Sequence, residues 1–315
     1  MQRPSRDNVA MGSTRREVVA RLPSTPGVYR FRDARGLPLY IGRASDLRHR
    51  VASYWSDLGD RAHLVRMVRQ IVRIEAVACD SLHEAAWLER NLLERSMPRW
   101  NRVRGGLEVP VWICMDARMR TPGLSVVHLV ESRPGVRHFG PYLGGTRVRQ
   151  AVAALERILP LAYAASGLRG SERAMARQRG VTDADHAWID AALTAVLDRN
   201  PDAVARAGAA LVELRDRATA ALAFERAGQI QAEWDALEWI TSPQRVTLAS
   251  SEDVDAYGWT GGVLVHYAIR DGRLSQWSQR ATSEAYARTR VEATPAAWAD
   301  FTRRNAELAA ALVSS

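Results

Sequence analysis

The sequence predicts an α+β protein, and three observations carry that prediction. The first hundred or so residues alternate short strand-like and helix-like runs, residues 184–240 read as almost wholly helical, and residues 254–279 hold three short strand candidates before a closing helix. The expected divisions are a flexible N-terminal arm (1–20), a small unit with a short antiparallel sheet flanked by helices (21–104), a linker subdomain (105–163), a mainly helical region (164–242) and a small α/β tail (243–315).

Gly27-Val28-Tyr29-Arg30-Phe31-Arg32 alternates as a strand does, Asp33 to Pro38 is turn-rich, and Leu39-Tyr40-Ile41-Gly42 reads as the second arm of a hairpin. Ser45-Asp46 suits the start of a helix running through Leu47, Val51 and Tyr54. A second helix is expected over Ala62 to Gln70, with Leu64, Val65 and Val68 on one side, then a strand from Ile71 to Cys79. Ser81 followed three residues later by Glu84 forms a capping box for a helix from Leu82 to Arg95. Beyond it come strands at Val111 to Met115 and Leu124 to Val130, a turn at Phe139-Gly140-Pro141-Tyr142, and a helix from Thr146 to Leu159. Residues 166–180 are polar and read as irregular; Asn200-Pro201 starts a helix inside the long helical stretch. Strands are expected at Val254 to Trp259, Val263 to Ile269 and Arg273 to Gln279, and a final helix from Pro295 to Val313.

Composition narrows the function. Of 315 residues 47% are hydrophobic, enough to build cores, yet no run approaches the ~20 apolar residues of a membrane helix. The start of the chain is polar and arginine-rich, without the apolar block of a secretory signal, so the cytoplasm is the expected compartment. Cys79 and Cys114 stand far apart with no C-x-x-C pair, which argues against a disulfide framework, a structural zinc site or a four-thiolate iron–sulfur cluster. All 44 basic residues are arginine, and 26 of them precede residue 151 against 14 acids, whereas 18 face 21 acids after it. A GC-rich genome explains arginine in place of lysine but not this asymmetry. The first half is suited to a polyanion such as DNA, because arginine makes bidentate bonds to phosphate and binding releases counterions.

The densest set of chemically useful side chains lies in the first 101 residues. Tyr29 and Tyr40 fall on adjacent strands, Arg43 and Arg50 follow the second strand, and Glu89 sits in the helix from Leu82 to Arg95. That combination suits phosphodiester hydrolysis: one carboxylate for a hard divalent cation, a phenol or activated water as base, and guanidiniums to neutralise the pentavalent phosphate. Asp253, Asp255 and Asp271 read as turn and strand-end carboxylates, not as a second site.

Gly27-Val28-Tyr29 and Tyr40-Ile41-Gly42, followed by Arg50, Glu89 and Asn101, resemble the GIY-YIG nuclease domain in its UvrC-like form. Pro26, Leu88-Glu89-x-Asn91-Leu92 and Pro98-Arg99-Trp100-Asn101 fit the same pattern. The resemblance implies a catalytic set of Tyr29, Tyr40, Arg43, Arg50, Glu89 and Asn101, with Glu89 holding a single Mg²⁺ or Mn²⁺ and Arg43 and Arg50 contacting DNA; Arg48 and Arg66 read either as DNA-backbone contacts or as solvated side chains. Which tyrosine is the base stays open, and the residue types favour a loop-orienting role for Asn101. The implied reaction is incision of one strand on the 3′ side of a lesion, leaving 5′-phosphate and 3′-hydroxyl.

Leu222-Ala223-Phe224-Glu225-Arg226-Ala227 is similar to the start of the UVR motif, which implies a UvrB-facing surface at Phe224, Glu225 and Ala227, although Gln231-Ala232 and Trp234 depart from that motif. Arg43 stands where the family often has lysine, no cysteine box lies between Tyr163 and Val181, and no iron–sulfur cluster is expected. The RNase H-like and helix-hairpin-helix domains of UvrC have no counterpart in this sequence. Two other readings fit: a non-catalytic repair accessory that binds DNA or UvrB, and a structure-specific nuclease independent of UvrB.

Overall fold

The computed structural model describes residues 16–56, 64–105, 108–118, 120, 122–249 and 252–313. Most of the expected flexible arm lies outside them, as does the expected start of the second helix at Ala62. The chain divides into two compact units, Met1–Leu107 with Pro243–Ser315, and Glu108–Ser242. The tail read from sequence as a separate segment therefore shares a unit with the first hundred residues.

In the first unit β1 (Gly27–Arg32) is the centre of a three-stranded antiparallel sheet, with β2 (Pro38–Ala44) on one side and β3 (Arg73–Ala78) on the other. The hairpin closes because the Asp33 carboxylate accepts the backbone N–H groups of Arg35 and Leu37, both at 2.9 Å, while Gly36 takes the left-handed conformation. Asp46 caps α1 (Leu47–Ala52) by accepting from the His49 N–H. That helix ends before Tyr54. The next helix is only one turn, α2 (Val65–Val68), and its buried side is Leu64 and Met67; Val65 is exposed, contrary to the apolar face read from sequence.

The capping box of α3 (Leu82–Arg95) forms with one change: Ser81 accepts from the Glu84 N–H, but Glu84 reaches the N–H of Asp80 instead of Ser81. This helix packs on β1 and β2 and also on a second antiparallel sheet of β7 (Val254–Thr260), β8 (Val263–Arg270) and β9 (Arg273–Ala281). Asn91 ties the two parts together by donating to the Val246 carbonyl and the Thr247 hydroxyl. The last helix, α10 (Ala296–Val313), lies against β3, β7 and β8. There Asn305 accepts the Ala78 N–H at 2.7 Å and donates to its carbonyl at 3.1 Å, filling the end of the edge strand β3 as another strand would. A helix not expected from sequence, α9 (Glu284–Glu292), precedes it; only Ala287 is buried there, so no apolar stripe announces it.

The second unit holds the sheet β5 (Gly123–Val127), β4 (Val111–Asp116), β6 (Val136–Tyr142), in that order, and the helices α4 (Gly145–Ile158), α5 (Gly170–Gln178), α6 (His186–Leu197), α7 (Pro201–Ala220) and α8 (Phe224–Thr241). Two expectations fail here for local reasons. Phe139-Gly140-Pro141-Tyr142 is the end of β6 and not a turn; an edge strand tolerates the missing proline N–H, and the register against β4 shifts at this point. The polar stretch after Ser166 contains α5, with only Ala176 buried, so it lacks the periodicity that marks a helix. Arg157 of α4 and the buried Glu233 of α8 form a bidentate pair at 2.6 and 2.7 Å that joins these helices. Among the described residues no helix is long and apolar enough to cross a membrane.

Candidate active site

The site forms where the β1–β2 hairpin meets α3. Tyr29 pairs with Gly42 across the two strands, and Phe31 pairs with Tyr40, so the two phenols share one face of the sheet. The glycines make this possible. A Cβ on Gly42 would stand 2.5 Å from the Tyr29 hydroxyl and 2.7 Å from a Tyr40 ring carbon, and one on Gly27 would stand 2.3 Å from the Val77 carbonyl oxygen. Only a residue without a side chain lets the two rings approach, with centroids 6.2 Å apart.

Tyr54 completes this cluster, and sequence reading missed its role. Its hydroxyl is 2.8 Å from that of Tyr29, and it also bonds Tyr40. At four residues after Arg50 and seven after Leu47 it reads as a core position, and its ring is indeed buried; only the chain's exit from α1 turns its hydroxyl toward the other two. Arg50 lies over the Tyr54 ring at 5.7 Å and reaches the Tyr29 hydroxyl.

Burial, with Tyr54 and Tyr40 beside it, holds the Tyr29 phenol well above its ordinary pKa. Burial likewise raises Tyr40, with Tyr54 and the carboxylate of Glu89 adding to the effect. Both phenols are therefore protonated at neutral pH and act first as hydrogen-bond donors. They differ in access: Tyr29 is fully buried, whereas Tyr40 is partly exposed and lies within the field of Glu89.

Glu89 projects from the middle of α3 to the end of β2. One carboxylate oxygen accepts the Arg43 backbone N–H at 3.1 Å, and the other lies 3.5 Å from the Arg43 guanidinium, with 22% of the Glu89 side chain exposed. This is one carboxylate, and among the described residues no group of three His, Cys, Asp or Glu side chains gathers as a metal cage. Such a donor set fits Mg²⁺ or Mn²⁺, hard cations held by one or two carboxylates that keep several waters; zinc would need more side-chain ligands.

Tyr29, Tyr40, Arg50, Arg43 and Glu89 thus fall together. The other predicted residues are placed elsewhere. Asn101 faces β2: it accepts the Ile41 N–H at 3.0 Å and donates to the Ile41 carbonyl at 2.8 Å, sealing the edge strand that carries Tyr40. These two bonds fix the position of Asn101 against β2. Arg48 is exposed but donates to the Leu22 carbonyl at 2.7 Å, holding the segment before β1, and Arg66 is exposed on α2. In the second unit Phe224 and Glu225 are exposed where α8 begins, Phe224 at 64%, whereas Ala227 is buried inside the α7–α8 hairpin and presents no surface to a partner.

The family model of the UvrC-like GIY-YIG domain matches residues 25–102. These residues are a UvrC-like GIY-YIG domain. The match spans every residue of the cluster above. Beyond the GIY-YIG domain, the chain is similar to the UvrABC system protein C of Desulforudis audaxviator, at 30% identity over 82% of this chain and 44% of that one. The protein of the same name from Mycobacterium tuberculosis is 29% identical over 83% of this chain and 43% of its own length. The Trichlorobacter lovleyi protein is 34% identical over 47% of this chain and 24% of that one. The chain spans less than half the length of these relatives. Among solved structures, the N-terminal GIY-YIG endonuclease domain of UvrC from Thermotoga maritima, described as bound to magnesium, its catalytic divalent cation, is 30% identical over 29% of this chain and 97% of that one, with a TM-score of 0.26.

Proposed function

We propose that this chain is a metal-dependent DNA endonuclease of UvrC type that cuts one strand, on the 3′ side of a lesion, in nucleotide excision or a related repair. The observation that carries this reading is the convergence of Glu89, Tyr40 and Arg50 beside Gly42, near the end of β2. Glu89 would hold Mg²⁺ or Mn²⁺. When bound, such a cation acidifies water and offsets phosphate charge. Tyr40, the more exposed of the two phenols, would hydrogen-bond the attacking water, while the buried Tyr29 would orient Arg50 and Tyr54. Arg50 and Arg43 would neutralise the non-bridging oxygens as negative charge builds, and the products would be 5′-phosphate and 3′-hydroxyl. Arg48 and Arg66 offer exposed cations for the DNA backbone on the same unit. UvrB is the proposed protein partner, through Phe224 and Glu225 at the exposed turn of the α7–α8 hairpin, where Leu222 is 74% exposed.

The test is a nicking assay on supercoiled plasmid, intact or damaged, with Mn²⁺ or Mg²⁺ and with or without UvrA and UvrB. The expected result is relaxation of the plasmid by the native sequence and none by Glu89→Gln, with DNA binding retained in both. An equally active Glu89→Gln protein overturns the assignment. Binding without nicking under every condition would leave the chain a repair accessory.

A further inference from the structure

The Arg43–Glu89 contact carries an inference that rests on the reading above and deepens it. Arg43 meets Glu89 twice, once through its backbone and once through its side chain. The backbone bond is fixed by the strand. The guanidinium contact is longer, at 3.5 Å, and 34% of the Arg43 side chain is exposed, so this half of the contact can open without leaving a cavity. A guanidinium and a divalent cation on one carboxylate repel each other, and a DNA phosphate is a strong bidentate acceptor for the guanidinium.

We infer that Arg43 couples the binding of cation and DNA. Its side chain is shared between Glu89 and the DNA phosphate, and a phosphate that draws it away leaves Glu89 to the cation. Linkage makes the effect reciprocal: DNA tightens cation binding by the same factor by which the cation tightens DNA binding. A flexible lysine carries the same charge but not the planar two-pronged fork, so substituting it should preserve the sign of the coupling and reduce its size.

The experiment measures Mn²⁺ affinity of the full chain by the electron paramagnetic resonance of free Mn²⁺, with and without a short phosphorothioate duplex that resists cutting. Glu89→Gln with the same duplex gives the background of cations held by DNA itself. The native sequence should bind Mn²⁺ about tenfold more tightly with the duplex than without it. Arg43→Gln should bind Mn²⁺ about tenfold more tightly than the native sequence when DNA is absent, and the duplex should then add little. Arg43→Lys should fall between, which separates a coupling role from a merely folded-state one. An Arg43→Gln protein with native Mn²⁺ affinity and an undiminished effect of DNA overturns the inference while leaving Glu89 as the ligand. A Glu89→Gln protein that binds Mn²⁺ as the native sequence does overturns both.

Discussion

Two carboxylates five residues apart on α3 have opposite fates. Glu84, in the first turn, is fully buried: it accepts the backbone N–H groups of Asp80 at 2.7 Å and Arg245 at 3.0 Å, and Arg245 also pairs with Asp80. Glu89, in the middle, is partly exposed and meets Arg43 at the mouth of the phenol cluster. The first carboxylate holds the segment after residue 242 to the helix; the second keeps 22% of its side chain exposed beside Arg43. Residue type does not separate the two. Surroundings do.

This contrast can be broken by experiment. Glu89→Gln should lower nicking by about a thousandfold while stability to urea changes by no more than about 0.5 kcal/mol, because no buried bond is lost. Glu84→Ala should do the reverse, costing about 3 kcal/mol in the same denaturation because two buried N–H groups lose their acceptor, with nicking per folded molecule near native. Equal stability losses at the two positions would erase the distinction. Gly42→Ala should cost about 2 kcal/mol and also cut activity, since its Cβ would displace the Tyr29 hydroxyl; a silent substitution would mean that the phenols need not be close.

The smallest effect concerns pH. Burial raises the Glu84 carboxyl above its ordinary value, with its two backbone donors and Arg245 only partly opposing. The folded state then holds that proton more tightly than the unfolded chain, so the contribution of Glu84 is present at acid pH and is lost as pH rises from about 4 upward. Glu84→Gln should flatten this part of the stability profile, read by thermal melts across the range, and Glu89→Gln should leave it in place.

How much of this was legible beforehand follows the same division. The hairpin, α3 and the grouping of Tyr29, Tyr40, Arg50 and Glu89 were readable because each is tied to a local pattern: an alternating strand, a serine cap, two glycines beside two tyrosines. Tyr54 was hidden because its hydroxyl is directed by the chain's exit from a helix, and spacing alone does not report that. Helices α5 and α9 were hidden because each buries one alanine. The place of residues 243–315 was hidden for a different reason: Asn91, Ser81 and Asn305 meet partners more than 150 positions away, and no window along the sequence contains both ends of such a bond.

Asn305 has a consequence for anyone who trims this protein. Residues 25–102 invite expression as a free-standing nuclease fragment, but β3 would then lose the amide that occupies the Ala78 N–H and carbonyl, together with the helix that shields its flank. A bare strand margin of that kind recruits other chains, so the fragment should self-associate at concentrations where the longer protein stays dispersed. The compact unit that carries the site is assembled from two distant stretches of polypeptide, and the later one covers the open margin of its sheet.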